Sequence, residues 1–384
     1  MRESRSSVEG RELGQVGVCA RAAVLVDRDP AGDRVRPCAQ VLAVAQLGVG
    51  AQRAEKRLLK GVLGAVAPET ADEESEDLVA VLLVEALEGR QRHVDILKRR
   101  RGSRCEDPVM RVAVVGHVEW VEFARVEAVP KPGEIAHAFE TWEEPAGGGA
   151  VAAVQLARLA GSCVLLTAFG SDELGRRSRT ELTRLGVDVR AIPEAETTRR
   201  AFTFVDDQGE RTITALGDKL RPRGGDSRLP WHELRGLDAV YFVSGDVQAL
   251  HHARLARVLV ATARELATLR EAGVELDVLV GSGEDEGELY HPGDLDPPPR
   301  AVVTTSGGLG GWLQPGGPFR PAPLPGPIVD AYGCGDCFAA GLTFGLAQGD
   351  PIEDAVALAA RCGAAVMTGR GPYSVQLDGR SAAP

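Results

Sequence analysis

Asp336 lies in the stretch of this chain with the clearest chemical potential. It closes Gly333-Cys334-Gly335-Asp336, which follows the apolar pair Ile328 and Val329 and precedes Phe338, Leu342, Gly345 and Leu346 at helical spacing. The pattern implies a strand end, a glycine turn and a helix start. Gly333 and Gly335 let the backbone turn sharply and let an anion approach closely, while free N–H groups of the first helical turn point outward at it. Such a turn is a cradle for an oxyanion or a phosphate. A carboxylate beside it repels the ligand unless it has a task, such as taking a proton from an attacking hydroxyl. The residues alone leave a second reading open, because an acidic side chain is favourable in the first turn of any helix.

Two further glycine clusters stand where a ligand crevice would need them. Gly147-Gly148-Gly149 opens a helix, and Thr305-Ser306-Gly307-Gly308-Leu309-Gly310-Gly311 follows an apolar strand. Either alone suits a plain turn; three clusters, each at a strand end or a helix start, point to a site. Other chemistries lack their patterns. The seven His include no H-E-x-x-H, no G-x-x-x-x-G-K-[ST] loop is present, and His251-His252 is expected on a solvated helix face. The seven Cys are an odd number without repeating spacing, which fits a reducing compartment rather than a disulfide framework. Cys334 and Cys337 have C-x-x-C spacing, so a dithiol redox role is a third reading. The positive end of the helix is expected to lower the pKa of these thiols and of Asp336.

The elements that must position these residues alternate from Met110 onward. Apolar runs of buried-strand length fall at 112–115, 164–169, 239–243, 258–261, 278–280 and 301–304, with helical stretches at 150–159, 173–185 and 263–271. After the Gly333 turn a helix runs to about Leu346, and a last one starts at Asp350-Pro351-Ile352-Glu353. This alternation predicts an α/β fold: a doubly wound, mostly parallel sheet with helices on both faces. Segments 119–146 and 198–215 are β-like instead, the second a hairpin turning at Asp207-Gln208-Gly209, and they are expected to form a small lid over the crevice.

Residues 1–109 differ in kind. They contain no aromatic residue and one Ile, Ile96, so the short helices expected at 41–49 and 78–87 have little large apolar area to bury. A poorly ordered extension, or a gene start placed too early with the true one at Met110, is the expectation; 110–384 is then the folding unit. The net charge of −11 argues against a nucleic-acid partner. No apolar run has a membrane span's length and the N-terminus lacks a secretory h-region, so a cytoplasmic protein without a membrane partner is expected.

Residues 110 to about 373 resemble the ribokinase-like (PfkB-type) family of carbohydrate and nucleoside kinases. Asp330-Ala331-Tyr332-Gly333-Cys334-Gly335-Asp336, with Phe338 to Gly341 after it, is similar to the family's D-T-x-G-A-G-D and F-x-x-G. Gly170-Ser171-Asp172-Glu173-Leu174-Gly175 and Leu185-Gly186-Val187-Asp188 resemble its G-x-D-x-x-G and L-x-x-x-G-V-D, Gly209-Glu210-Arg211 its lid turn, and Thr305, Gly307 and Gly310 its T-x-G-x-x-G. The resemblance implies a kinase using ATP and Mg²⁺, with K⁺ as an optional cation, that phosphorylates a hydroxyl of a sugar or related polyol. A homodimer is compatible with it. By the same resemblance Asp336 is the general base and the amides of Gly333, Cys334 and Gly335 the anion hole. Thr305, Gly307, Gly310 and Gly363 fall on the nucleotide side, and Asp330 and Glu286 beside cations. Gly147, Gly148 and Gly149 face the substrate. The chain has no Asn. Ala152 and Gly283 therefore replace two family Asn residues, and Val121 stands in place of a substrate-side Asp for which Glu119 or Glu122 would substitute. These departures keep a non-catalytic metabolite-binding protein on the same scaffold as the alternative.

Overall fold

The computed structural model describes residues 110–194 and 196–379, so the helices expected at 41–49 and 78–87, and the reading of 1–109 as an extension, lie outside the described residues. The main sheet begins at β1 (Val112–Val115). Successive side chains of a strand point to opposite faces, so Val112 and Val114 enter one hydrophobic core and Ala113 and Val115 another. A strand buried on both faces needs helices on both. They are α1 (Gly148–Ala160), α5 (Cys334–Gln348) and α6 (Ile352–Val366) on one side, and α3 (Val247–Ala253) and α4 (Leu266–Ala272) on the other. The first α/β unit also carries α2 (Glu173–Arg184), capped by Asp172 accepting from the Gly175 amide.

The strands that follow are β4 (Cys163–Gly170), β5 (Val187–Glu194), β8 (Ala239–Phe242), β9 (Val258–Thr262), β10 (Val278–Ser282), β11 (Ala301–Thr305), β12 (Gly311–Gln314) and β13 (Gly317–Phe319). Their order is β13-β12-β11-β10-β9-β8-β1-β4-β5, parallel except for the two C-terminal edge strands. The chain leaves β1 toward β4 and β5, then returns to β8 on its other side. The carboxyl ends of β1 and β8 therefore flank the topological switch point, where open α/β sheets leave a ligand crevice.

A second sheet has the order β3-β2-β6-β7, made of β2 (Glu119–Arg125), β3 (Glu140–Ala146), β6 (Arg200–Val205) and β7 (Arg211–Leu216). Two antiparallel hairpins from separate excursions meet along the parallel pair β2 and β6. The hairpin tip reaches the Asp336 loop, where Gly209 O accepts the Ala331 amide at 2.9 Å. This is the expected lid.

Three local expectations change. The helix expected at 263–271 divides into a 3-10 turn (Ala263–Glu265) and α4, because Thr262 caps the turn through the Arg264 amide. The edge strand β5 extends well beyond Val187; its polar outer face masked it in the sequence. His252 is not simply solvated: its ring stacks on Trp231 with centroids 5.1 Å apart.

Candidate active site

The turn before α5 has the expected construction. Gly333 has φ 82°, left-handed, and its Cα packs so closely that a Cβ would stand 2.9 Å from Val151 and 3.1 Å from Pro372. The first α-helical bond is Cys337 N to Gly333 O at 2.9 Å, so the amides ahead of it belong to the unpaired first turn. Nothing lies within 4 Å of where a Cβ on Gly335 would be, which leaves the cradle open on its ligand side. Asp336 follows, and its carboxylate reaches back to the other glycine cluster: a Cβ on Gly148 would stand 2.8 Å from Asp336 Oδ1. Gly149 is held under β1 by its amide bonding His117 O at 3.2 Å, and a Cβ there would meet that oxygen at 2.5 Å. The two clusters thus form one floor at the switch point.

The electrostatics of Asp336 run against the sequence expectation. Burial raises its pKa to about 6, aided by Glu288 and Glu119 and opposed by Arg211 and Arg264. The helix dipole is a local effect that the sequence displays; desolvation at the bottom of the crevice outweighs it. A carboxylate titrating there suits general-base chemistry at neutral pH. The thiols differ from expectation in the same direction. Burial raises both Cys334 and Cys337, and Cys337 accepts from Gln376 Nε2 at 3.3 Å in the core. Neither is an activated thiolate.

The remaining sequence-derived residues separate into those the fold brings together and those it does not. Glu119 is buried at the site, hydrogen-bonded to Tyr332 and paired with Arg199 Nε at 3.2 Å, and its Cγ would lie 3.1 Å from a Cβ on Gly147. Tyr332 Oη in turn accepts the Gly147 amide at 3.3 Å. Glu122 does not face these groups: the strand alternation turns it to the other side of β2, where it pairs with Arg200. Asp330 is fully buried, with its two oxygens taking the Tyr332 amide at 2.8 Å and the Gly371 amide at 2.9 Å. Glu286 is exposed on a 3-10 turn (Glu286–Glu288), and it is Glu288 that folds back to accept the Ser282 amide and acts electrostatically on Asp336.

Thr305, Gly307 and Gly310 end β11 beside the end of β10. Gly307 and Gly310 have φ 48° and 92°, and a Cβ on Gly307 would approach Glu284 at 3.4 Å. Gly363 lies buried within α6, where a Cβ would meet Cys334 O at 3.2 Å and Phe338 at 3.6 Å, so its missing side chain lets α6 pack closely on α5. Ala152 is buried in the core of α1 and Val121 in the lid, so neither supplies the polar group its family counterpart would.

Several site residues were not singled out from the sequence. Arg211, from β7, donates to Ala331 O at 3.3 Å and is the strongest cationic influence on Asp336. Arg264 reaches Glu288 at 2.6 Å and Asp285 at 2.6 Å. His117, Arg199 and Lys219 approach from the loop after β1, the segment before β6 and the segment after β7. A single His and scattered cations carry no motif; only the Gly209-Glu210-Arg211 turn held a signal.

A glycine turn with a half-buried carboxylate behind it, at the switch point of a parallel sheet under a β lid, is an arrangement that suits phosphoryl transfer. The model of the pfkB family carbohydrate kinases matches residues 110–244 and 242–378. An ATP-dependent ribose-1-phosphate kinase of Halopiger xanaduensis is 28% identical over 296 residues, covering 67% of this chain and 91% of that protein. The ribokinase of Thermotoga maritima has the same fold, with a TM-score of 0.58 at 21% identity over 71% of this chain and 98% of that one. So does the ribokinase of Cryptococcus neoformans in complex with ADP, with a TM-score of 0.56 at 21% identity, covering 71% and 98%. The chain belongs to the pfkB family of carbohydrate kinases and is a sugar kinase.

Proposed function

We propose that the protein transfers the terminal phosphoryl group of ATP to a hydroxyl of a pentose or pentose phosphate, the substrate class named in its relatives. The observation that carries this reading is the Asp336 carboxylate: half-buried at the first turn of α5, facing the Gly148 floor, with its pKa raised to about 6 by desolvation. Asp336 accepts the proton of the acceptor hydroxyl as the oxygen attacks. The first-turn amides at Gly333, Cys334 and Gly335 hold the oxygens of the transferring group, already oriented and free of competing helix bonds. Arg211 draws the lid hairpin to the loop at Ala331 O and balances charge beside Asp336. Closure of the lid over the crevice excludes water, which would otherwise compete as acceptor.

The residues present fit the expected cofactors. Thr305 and exposed Gly307 leave backbone accessible beyond the end of β11 for ATP, whereas Gly310 is buried against Phe319 O and serves the turn itself. Among the described residues no cluster of three or more His, Cys, Asp or Glu could hold a metal alone. That suits Mg²⁺, which keeps water ligands and binds through one or two carboxylates plus nucleotide phosphates; Glu288 is better placed for this than Glu286. Bound Mg-ATP supplies the phosphoryl group and masks its charge. Asp330, buried without a direct Arg or Lys bond among the described residues, suits a monovalent cation such as K⁺.

The test is ADP release on addition of a panel of pentoses and pentose phosphates. Release with at least one of them, reduced about 10²-fold or more by Asp336→Asn, is expected. Turnover of the variant within a few-fold of the parent overturns the assignment.

A further inference from the structure

Arg264 holds the loop after β10, where the metal-side carboxylates stand. Its Nε meets Glu288 Oε1 and its Nη2 meets Asp285 Oδ2, both at 2.6 Å, so one planar guanidinium bridges two carboxylates. Backbone amides take the other oxygen of each: Glu288 Oε2 accepts from Ser282 at 2.8 Å and Asp285 Oδ1 from Gly287 at 2.9 Å. All four oxygens therefore have a donor. An exposed ion pair is worth little on its own, but Glu288 is only 13% exposed and is fixed on its far side, so this pair is held in place. A second cation at either carboxylate would stand against the guanidinium. Of the donors present only the guanidinium can leave, since the amides belong to the end of β10 and to the 3-10 turn Glu286–Glu288.

The Arg264 side chain has the room to leave, being 53% exposed, while its backbone is anchored. Thr262 accepts the Arg264 amide at 3.3 Å, and the adjacent Glu265, 3% exposed, is paired with Lys219 and Arg221 at 3.5 and 3.4 Å. The charges around the loop fit an exchange of cations. Asp285, Glu288 and Arg264 sum to −1, and Glu284 and Glu286 in the same loop are exposed, with no ion pair among the described residues. Arg211 acts on Asp285 only at a distance. Once the guanidinium leaves, Asp285 and Glu288 present −2, the charge of a divalent cation. Arg264 and Glu288 both act electrostatically on Asp336, in opposite senses, so the exchange lies within reach of the turn proposed to hold the transferring group.

We infer that Arg264 is a built-in counter-cation: it keeps Asp285 and Glu288 closed to divalent metal in the free protein and passes to the phosphates of the incoming nucleotide, so that metal and nucleotide enter together. This rests on the proposed kinase reading and names the residue that regulates its metal side. No covalent bond changes in the exchange. Two N–H contacts to carboxylate oxygens are replaced by contacts to phosphate oxygens, which the planar fork of a guanidinium suits equally well. The carboxylate oxygens that Arg264 gives up become available to the metal that the nucleotide brings.

The probe is Mn²⁺, which takes the same oxygen ligands as Mg²⁺ and whose free ion is counted by electron paramagnetic resonance. Titrating it into nucleotide-free, full-length protein needs neither an acceptor nor turnover, so the result stands apart from the success or failure of the sugar-kinase assay. Arg264→Gln should bind Mn²⁺ at least about 10-fold more tightly than the parent, the value of one charge-assisted contact removed from the carboxylates. Adding Glu288→Gln to that variant should abolish the gain. Affinity for ADP in the presence of Mn²⁺ should move the opposite way, weakening by about 10-fold in Arg264→Gln because the phosphates lose their guanidinium. Equal Mn²⁺ affinity in parent and variant, a gain that survives Glu288→Gln, or unchanged ADP affinity overturns the inference. Should Arg264→Gln fail to fold, Arg264→Lys carries the test: an ammonium does not bridge both carboxylates, so Mn²⁺ should bind a few-fold more tightly than to the parent. Equal binding there overturns the inference as well.

Discussion

Replacing Asp336 by Asn should abolish most activity and yet make the fold more stable, with a pH dependence set by burial. The ordinary Asp value is 3.8, and in the folded protein Asp336 is raised to about 6. A raised acidic pKa means that the folded state binds the proton more tightly than the unfolded one. Below pH ~4 both states are protonated and the residue costs nothing through ionisation. Between about pH 4 and 6 the unfolded chain releases its proton first, and stability falls as pH rises. Above pH 6 both are ionised and the cost is constant at up to ~3 kcal/mol, an upper bound because water in the open crevice screens part of it. Asn fills the same volume without ionising. Denaturant or thermal melts of both proteins between pH 4 and pH 8 should show a gap near zero at the acid end. It should widen to a stabilisation of up to ~3 kcal/mol at pH 7, roughly 5 °C in Tm. In parallel, kcat/KM of the parent should rise with pH and reach half its plateau near pH 6, since the carboxylate form is the base. A gap that is constant across the pH range, or an Asn variant less stable than the parent at pH 7, would refute the claim that desolvation dominates at Asp336.

Gly148→Ala places a methyl 2.8 Å from Asp336 Oδ1 and 2.9 Å from Val243 Cγ1, so it should displace the carboxylate and reduce kcat at least 10-fold; steady-state kinetics with the preferred pentose checks this. Gly335→Ala meets nothing within 4 Å and should leave Tm nearly unchanged while blocking the cradle, seen as lost turnover in a folded protein. Diamide should not inhibit the enzyme, because burial raises both Cys334 and Cys337; inhibition reversed by dithiothreitol would show that the pair does form a redox switch. A protein comprising 110–384 should match the full chain's thermal midpoint and ADP release, since residues 110–378 hold the whole family match; insolubility of the shorter protein would overturn this.

What the sequence reveals of this site is what backbone geometry imposes locally. Gly333 must adopt a left-handed φ, and Gly148 and Gly149 must admit a carboxylate and a carbonyl where a Cβ would stand, so these positions are constrained in residue type and readable as motifs. The alternation of apolar runs is legible for the same reason: strands such as β1 and β8 are buried on both faces and so are continuously apolar. Edge strand β5 and the short helix α3 lack that signature. The charged half of the site follows a different rule. His117, Arg199, Lys219 and Glu265 come from four separate elements, and each needs only a charge and a reach, which many surface residues share. Glu119 and Glu122 show the difference most sharply, being equivalent in type and three residues apart. The register of β2, with Glu119 opposite Ala146 and Glu122 opposite Glu143, sends one into the crevice and the other to Arg200. The sign of the Asp336 shift has the same origin. Its helix position is written in the sequence, whereas its desolvation depends on how the rest of the fold packs around that turn. A glycine motif therefore marks the turn proposed for phosphoryl transfer, while the charges around it depend on long-range burial that no local pattern specifies.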